Sequence, residues 1–382
     1  LENSSARLLP VDSILFTSRA PIGYVALAKN EITTNQGFKS LILKDDNDPK
    51  FFYYLLKNIT PQIKSYASGS TFQEISGKVL STITIKIPNA NIQKRIGEFI
   101  EKFDKKIELN RKTNETLEEI AKALFKSWFI DFDPVKAKAE GRSTGLPDEI
   151  SNLFPDSFED SELGEIPKGW DIDVLSNHLS ITKGKSYKSI ELQESQNALV
   201  TLKSFQRGGG YREEGLKPYS GNYKKEQIIL PGELIIALTD VTQAADLIGR
   251  PAIVQTNNLF ENLIASLDVG IIRTKKTGSI TKEYSIQLLK TPKYVSHALT
   301  YTSGTTVLHL AKELFESFCI VVPDSKLMKI FTSFYNEILQ KIDINQTSSN
   351  NLEKVRDALL PKLISGELRI PDAKKMIEEA GI

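Results

Sequence analysis

The sequence predicts an α+β protein in which two α/β domains, related by an internal repeat, are separated by two long antiparallel coiled-coil helices. Three observations predict it. The first is self-similarity: SGSTFQEISGKVLSTITIKIP (Ser68 to Pro88) returns as SGTTVLHLAKELFESFCIVVP (Ser303 to Pro323), 235 residues further on. The offset holds without a gap beyond it, pairing Ile107 with Ile342, Asn110 with Asn345, Leu117 with Leu352 and Leu124 with Leu359. The second is a seam of four-and-three spacing in each repeat, and the third is a set of short β-branched runs ahead of each seam.

In chain order, DSILF (Asp12 to Phe16) reads as a strand, resembling GELII (Gly232 to Ile236) at an offset of 220, so about fifteen residues of loop distinguish the units. SLILK (Ser40 to Lys44) and TITIKIP (Thr82 to Pro88) read as further strands, the latter ended by Pro88, with Asn91 as a candidate helix cap. The first seam runs Ile96, Ile100, Phe103, Ile107, Asn110, Asn114, Leu117, Ala121, Leu124, Trp128. A helix from Ile92 to Trp128 extends roughly 55 Å at 1.5 Å per residue, a spacer rather than a core helix. Asp131 to Trp170 is rich in Pro, Gly and Ser and reads as a linker, with Asp133-Pro134 as a helix stop. Phe132, Leu146, Leu153, Phe154 and Phe158 give it anchors that dock on the helices.

In the second repeat FCIVVP (Phe318 to Pro323) is the matching strand and Asp324 the matching cap. The seam Phe331, Tyr335, Ile338, Ile342, Asn345, Ser349, Leu352, Arg356, Leu359, Leu363 ends at Ser365 and Gly366, a C-cap. Asn110 and Asn345 hold equivalent seam positions and read as a register pair where the helices cross; the alternative is that both face solvent. The resulting partition is 1–90 and 161–323 for the domains, 91–132 and 324–368 for the helices, 133–160 for the linker and 369–382 for a tail.

Composition narrows the function classes. No stretch approaches the eighteen or so apolar residues of a membrane span, and the opening LENSSARLLPVDS has no signal-peptide pattern and no Met, which argues for a cytoplasmic protein with a truncated start. The single cysteine, Cys319, reads as core filling. Lys and Arg number 49 against 48 Asp and Glu, so net charge does not announce a nucleic-acid partner. Its distribution says more: from Lys183 to Lys225 nine basic residues face four acidic ones, with Tyr187, Phe205, Tyr211, Tyr219, Tyr223 and a Gly208 to Gly210 run among them. That mixture suits loops approaching a phosphate backbone, and also an ordinary solvated loop region.

No Asn/Asp-Pro-Pro-aromatic motif, Gly-rich cofactor turn or phosphate-binding loop occurs. RGGGY (Arg207 to Tyr211) reads as a flexible loop, and His178, His297 and His309 are dispersed without metal spacing. No catalytic and no metal residue is assigned.

The run IELNRKTNETLEEIAKALFKSWFIDFDPVKAKAEG (Ile107 to Gly141), followed by LPDEI, LFPDSF and SELGEIPKGW, closely resembles the central region of type I restriction specificity subunits. SRAPIGYVAL (Ser18 to Leu27) and TTNQGFKSLIL (Thr33 to Leu43) are similar to the later part of their target-recognition domains. The resemblance implies two target-recognition domains, each reading half of a split double-stranded DNA site, held apart by the helices as a ruler at a separation near one duplex turn of roughly 34 Å or a multiple. It implies as partners two methylation subunits bringing S-adenosylmethionine and restriction subunits bringing ATP and magnesium, with no cofactor in this chain. It also implies that the counterparts of Gly164 to Ser220, about 57 residues, precede Leu1, leaving the first domain incomplete.

Within that reading the DNA-contacting residues are Lys183, Lys185, Lys203, Ser204, Arg207, Tyr211 and Tyr223 from loops of the second domain, with Gly304 and Thr305 from its repeated turn. In the first domain they are Ser18, Arg19, Asn35, Gln36, Gly69 and Ser70, although Asn35 serves equally as a turn cap. The competing function is a truncated copy that scaffolds methylation subunits without full sequence recognition.

Overall fold

The computed structural model describes residues 7–44, 46–68, 73–242, 244–257, 259–311 and 313–379. From the N-terminus come β1 (Ile14–Phe16), β2 (Val25–Leu27), α1 (Pro49–Ser65), α2 (Gly77–Leu80) and the 40-residue α3 (Ala90–Phe129). Then follow α4 (Asp133–Ala139), α5 (Asp148–Ser151), β3 (Phe158–Ser161), β4 (Gly164–Pro167), β5 (Asp171–Val174), α6 (Leu175–His178), β6 (Leu179–Lys183), β7 (Asn197–Val200), β8 (Lys217–Pro218), β9 (Ile228–Ile229), β10 (Leu234–Ala237) and β11 (Thr239–Asp240). The rest is β12 (Pro251–Ile253), β13 (Asn262–Ala265), β14 (Val269–Thr274), α7 (Lys282–Leu288), α8 (Pro292–Thr300), β15 (Thr302–Ser303), β16 (Leu308–Leu310), α9 (Leu314–Ser317), β17 (Cys319–Val322), α10 (Ser325–Ser365) and α11 (Ile370–Glu379). Residues 1–114 with 344–382 form one compact unit and 115–343 a second, so each long helix contributes to both.

In the first unit β1 and β2 pair antiparallel over a core of Ile14, Phe16, Leu56, Ile63 and Ile75. Asp48 caps α1 by accepting from the Phe51 amide at 2.8 Å, and Gly97 of α3 leaves room for that end. A Cβ on Gly97 would stand 2.6 Å from Asp48 Oδ1. Ile96, Phe99, Ile100 and Phe103 of α3 meet Leu359, Leu360 and Leu363 of α10, and Ala373 of α11 is buried with them. The tail expected over 369–382 is thus largely a helix, because Ile370, Ala373 and Ile377 present one apolar stripe. The early part of α3 meets the late part of α10, an antiparallel pairing. The seam residues form its buried and half-buried face.

In the second unit β12-β10-β14-β6 and β8-β7-β13-β9 form two four-stranded sheets, and β11-β16-β15 a third of three strands. Its main core gathers Phe125, Trp128 and Phe129 of α3, Tyr284 of α7 and Phe331 of α10, with neighbouring ring centroids 5.0 to 6.5 Å apart. Edge-to-face pairs of this kind add about 0.5–1.5 kcal/mol each beyond burial. Phe154 is buried here, with Phe132, Leu146, Leu153 and Phe158 half-buried against it, so the linker docks as its anchors require.

Several local expectations need correction. Thr82 to Pro88 is not a strand: its counterpart β17 pairs with β5, whereas among the described residues no strand or bridge pairs with this run. Ser40 to Lys44 is reduced to one bridge, Leu41 with Ile14, because β1 is only three residues long. The cap of α3 is Asn89, which accepts from the Ile92 amide at 3.1 Å, and not Asn91, which lies inside the helix. Asp133-Pro134 opens α4 rather than merely stopping α3, since proline costs nothing where a helix has no amide to satisfy. Asp324 and Gly366 (φ 78°) bound α10 as expected.

Candidate nucleic-acid interface

The strand registers of the second unit decide which loops meet. Gly270 at the start of β14 stands opposite Lys183 at the end of β6, and Val269 opposite Ala237 at the end of β10. β13 runs parallel to β7, and Ser266 after it donates its amide to Val200 at 2.9 Å. The outgoing ends of β6, β7, β10 and β13 therefore share one end of the sheets. The loops 183–188, 201–216, 238–250 and 266–268 all emerge there, with the 303–308 hairpin joined through the pairing of Thr239 and His309.

Of the residues expected to meet DNA, Lys183, Lys203, Arg207, Gly304 and Thr305 are exposed at this end, with Lys185 half-exposed. Lys185 is fixed by its backbone, which donates to Ala265 at 2.7 Å and accepts from Leu267 at 2.9 Å. Among the described residues no ion pair takes Lys183, Lys185, Lys203 or Arg207. Three of the nearby carboxylates are engaged: Asp268 accepts from the Thr239 hydroxyl at 2.8 Å, Glu213 from Asn257, and Glu214 lies 3.8 Å from Arg212. The result is a local surplus of positive charge that the overall balance conceals.

Other expected contacts turn inward. Ser204 is fully buried, its hydroxyl accepting from the Thr201 amide at 3.3 Å, so it shapes the turn that presents Lys203. Tyr211 is 7% exposed beside Phe205, and burial, with Glu213 and Glu214, pushes its phenol well above the usual range. Tyr223 bonds to Asn197 at the start of β7, the opposite end of that strand from the loop cluster. The Arg207 to Tyr211 loop, read from the sequence as flexible, is hydrogen-bonded to its neighbours: Gly208 donates to Asp246 at 3.0 Å, Gly210 to Pro251 at 3.1 Å, and Gln206 to Gly210 at 2.9 Å. Gly208, Gly209 and Gly210 all take positive φ, which glycine alone adopts without strain.

Sequence reasoning missed Asp240, which is fully buried and accepts from the amides of Thr242, Leu247 and Ile248 at 2.6 to 3.0 Å. Burial opposes its ionisation, but these donors outweigh burial and hold the carboxyl below its ordinary range. It organises the 241–250 loop. The signal was an acid closing an apolar strand, LIIALTD, which has no meaning until the loop folds back on it.

The first unit repeats the frame. Ser18 donates its amide to Gly37 at 2.8 Å and accepts from Ile75, as Leu238 donates to Asp268 at 2.8 Å and accepts from Leu310. Arg19 bridges Glu74 as Thr239 bridges His309, at the offsets of 220 and 235. Ser18 is fully buried, its hydroxyl also on Gly37 at 3.0 Å, so it anchors the frame instead of meeting a ligand. Arg19, Asn35 and Gln36 are exposed together, Asn35 accepting from the Gly37 amide at 2.9 Å in the turn-capping role. Gly69 and Ser70 lie outside the described residues.

Among the described residues no group of three or more His, Cys, Asp or Glu is placed to hold a metal ion, and no helix is long and apolar enough to cross a membrane. His178 is buried and His297 half-buried, and burial lowers both ring pKa values.

Fold and site together define a repeat-built α+β recognition protein whose exposed chemistry is carried by loops. The model of the type I restriction modification DNA specificity domain matches residues 1–119. The type I restriction enzyme MjaIX specificity subunit of Methanocaldococcus jannaschii is 32% identical, the match covering 97% of this chain and 81% of that protein. The HindI specificity subunit of Haemophilus influenzae is 26% identical, covering 84% and 77%. The crystal structure of the type I restriction-modification system S subunit from M. genitalium shares the fold, with a TM-score of 0.53 at 18% identity over 94% of this chain and 84% of that one. The chain belongs to the type I restriction enzyme specificity subunits. It is the non-catalytic DNA-specificity component of such a system, in which these subunits act with DNA and with restriction and modification subunits. The matches support this function and not the scaffold copy.

Proposed function

We propose that the loop end of the second unit reads one half of a bipartite double-stranded DNA site. Lys183, Lys185, Lys203 and Arg207 take backbone phosphates, while the hairpin bearing Gly304 and Thr305 enters a groove. The observation that carries this is the convergence of five loops on one end, with cations that no ion pair among the described residues takes. Arg19, Asn35 and Gln36 serve the other half-site, with α3 and α10 setting the interval between them. The domain partition follows the repeat: recognition over 1–90 and 161–323, spacer helices over 91–132 and 324–368. Two methylation subunits supply S-adenosylmethionine, restriction subunits supply ATP and magnesium chemistry, and the complex works in the cytoplasm.

The test is selection from a randomised duplex library by the full chain with its methylation subunit, followed by affinity measurements against salt. A bipartite sequence should be enriched. Replacing Lys183, Lys185 and Lys203 by Ala should lower the slope of log affinity on log salt by about one for each phosphate no longer engaged. Enrichment of no sequence, or an unchanged slope, would overturn the assignment.

A further inference from the structure

Three apolar side chains stand exposed at the tips of separate loops on the end described above: Val241 (62% exposed), Leu267 (50%) and Val307 (38%). Their convergence follows from register. Thr239 pairs with His309 and Asp240 with Leu308, so one further step of the same antiparallel register sets Val241 opposite Val307. Leu267 immediately precedes Asp268, which accepts from both the Leu238 amide and the Thr239 hydroxyl, so it emerges beside the same strand. Gly304 fixes the hairpin: its φ is +105°, and a Cβ there would lie 2.1 Å from the carbonyl oxygen of Val307.

Single apolar residues are ordinary on a protein surface, but three brought together by the backbone of three loops form a patch that water solvates poorly. The surroundings say what covers it. Leu267 donates its amide to Lys185, Lys183 ends β6, and Lys203 lies in the 3-10 turn that follows β7, so the patch sits within a basic rim that favours a polyanion. On the edges of B-form base pairs the one apolar group is the 5-methyl of thymine, which projects into the major groove, a groove wide enough for a two-stranded ribbon such as β15–β16.

We propose that Val241, Val307 and Leu267 form a thymine-methyl contact, making at least one A·T pair in the half-site of the second unit a hydrophobic specificity determinant. The inference rests on the DNA-reading assignment above and adds which base chemistry that end selects.

The full chain with its methylation subunit is first used to select its site, and each thymine is then replaced singly by deoxyuridine, which keeps pairing and the O4 acceptor but lacks the methyl. Loss of one buried methyl should weaken binding about fourfold at one or more positions of that half-site. Val241→Ser combined with Val307→Ser should abolish this uracil penalty while leaving the salt dependence unchanged, and Leu267→Ser should reduce it. These positions are exposed, so the fold should survive, and an unaltered thermal midpoint checks it. A defined site whose every uracil replacement is neutral, or a half-site without an A·T pair, overturns the thymine contact and leaves DNA reading intact. Failure to enrich any sequence overturns both.

Discussion

Asn110 donates its side-chain amide to the main-chain carbonyl of Asn345 at 3.3 Å and to Ser349 Oγ at 3.2 Å, and Asn345 donates in turn to Asn114 Oδ1 at 2.8 Å. Under the 235-residue repeat Asn110 corresponds to Asn345 and Asn114 to Ser349, so the two side-chain bonds are equivalents of one another. Polar residues in a mostly apolar seam trade stability for register, because sliding either helix by a turn leaves the amides buried and unpaired.

Replacing both, Asn110→Leu with Asn345→Leu, should therefore raise the thermal midpoint. It should also broaden spin-label distances across the helix pair from one population to several. A single, unshifted distance distribution would place register control elsewhere.

Arg356 occupies a seam position and is held by Asp104 Oδ1 at 2.6 Å, while Tyr54 donates to Asp104 Oδ2 at 2.7 Å. Burial works against the charged guanidinium, but Asp357 and Asp104 outweigh it and raise its pKa. The pair is partly exposed, so Asp104→Leu alone should cost about 1–3 kcal/mol, less than the loss from a fully buried pair. Adding Arg356→Leu should recover much of that loss, because the half-buried cation, left with Asp357 alone, is removed too. Chemical denaturation of the two single variants and the double variant measures the coupling, and strictly additive losses would refute it.

Asp240 gives a pH dependence with a definite sign. Its folded pKa lies below the unfolded value near 3.9, so its contribution is present above about pH 4 and is lost as pH falls through the folded value. Asp240→Asn should destabilise the second unit by about 2–4 kcal/mol at neutral pH, since an amide brings one acceptor to three donors. The variant should also show a flatter stability profile below pH 4. Equal profiles for both proteins would show that the acid limb arises from other carboxylates.

Gly304→Ala meets both a backbone strain and a clash with the Val307 carbonyl, which together should cost about 1–3 kcal/mol. The penalty is local to an exposed hairpin. Sequence selectivity should consequently fall more than the salt-dependent affinity does, as measured by competition between selected and random duplexes. A selective Ala variant would mean that the hairpin does not enter the groove.

How far the sequence carries can be judged residue by residue. Periodicity is a property of the chain itself, so both seams, the Asn110 and Asn345 pair, the docking of Phe154 and the end of α10 at Gly366 were legible in it. The 220-residue offset also relates Ser18 to Leu238, and the structure gives both the same hydrogen-bonding frame although their side chains have nothing in common. Strand character was less legible, because Thr82 to Pro88 has the right residues and, among those described, no strand to pair with.

Charge spacing drew attention to Lys183, Lys185, Lys203 and Arg207 without distinguishing them from Tyr223, since distance along the chain is silent about which end of a strand a loop leaves. Only the tertiary structure sent Ser18, Ser204 and Tyr211 inward, brought the amides of Thr242, Leu247 and Ile248 onto Asp240, and paired Asp240 with Leu308 one step before Val241 and Val307. Those outcomes depend on parallel and antiparallel registers between strands tens of residues apart, and a register is a relation between segments that no single segment encodes.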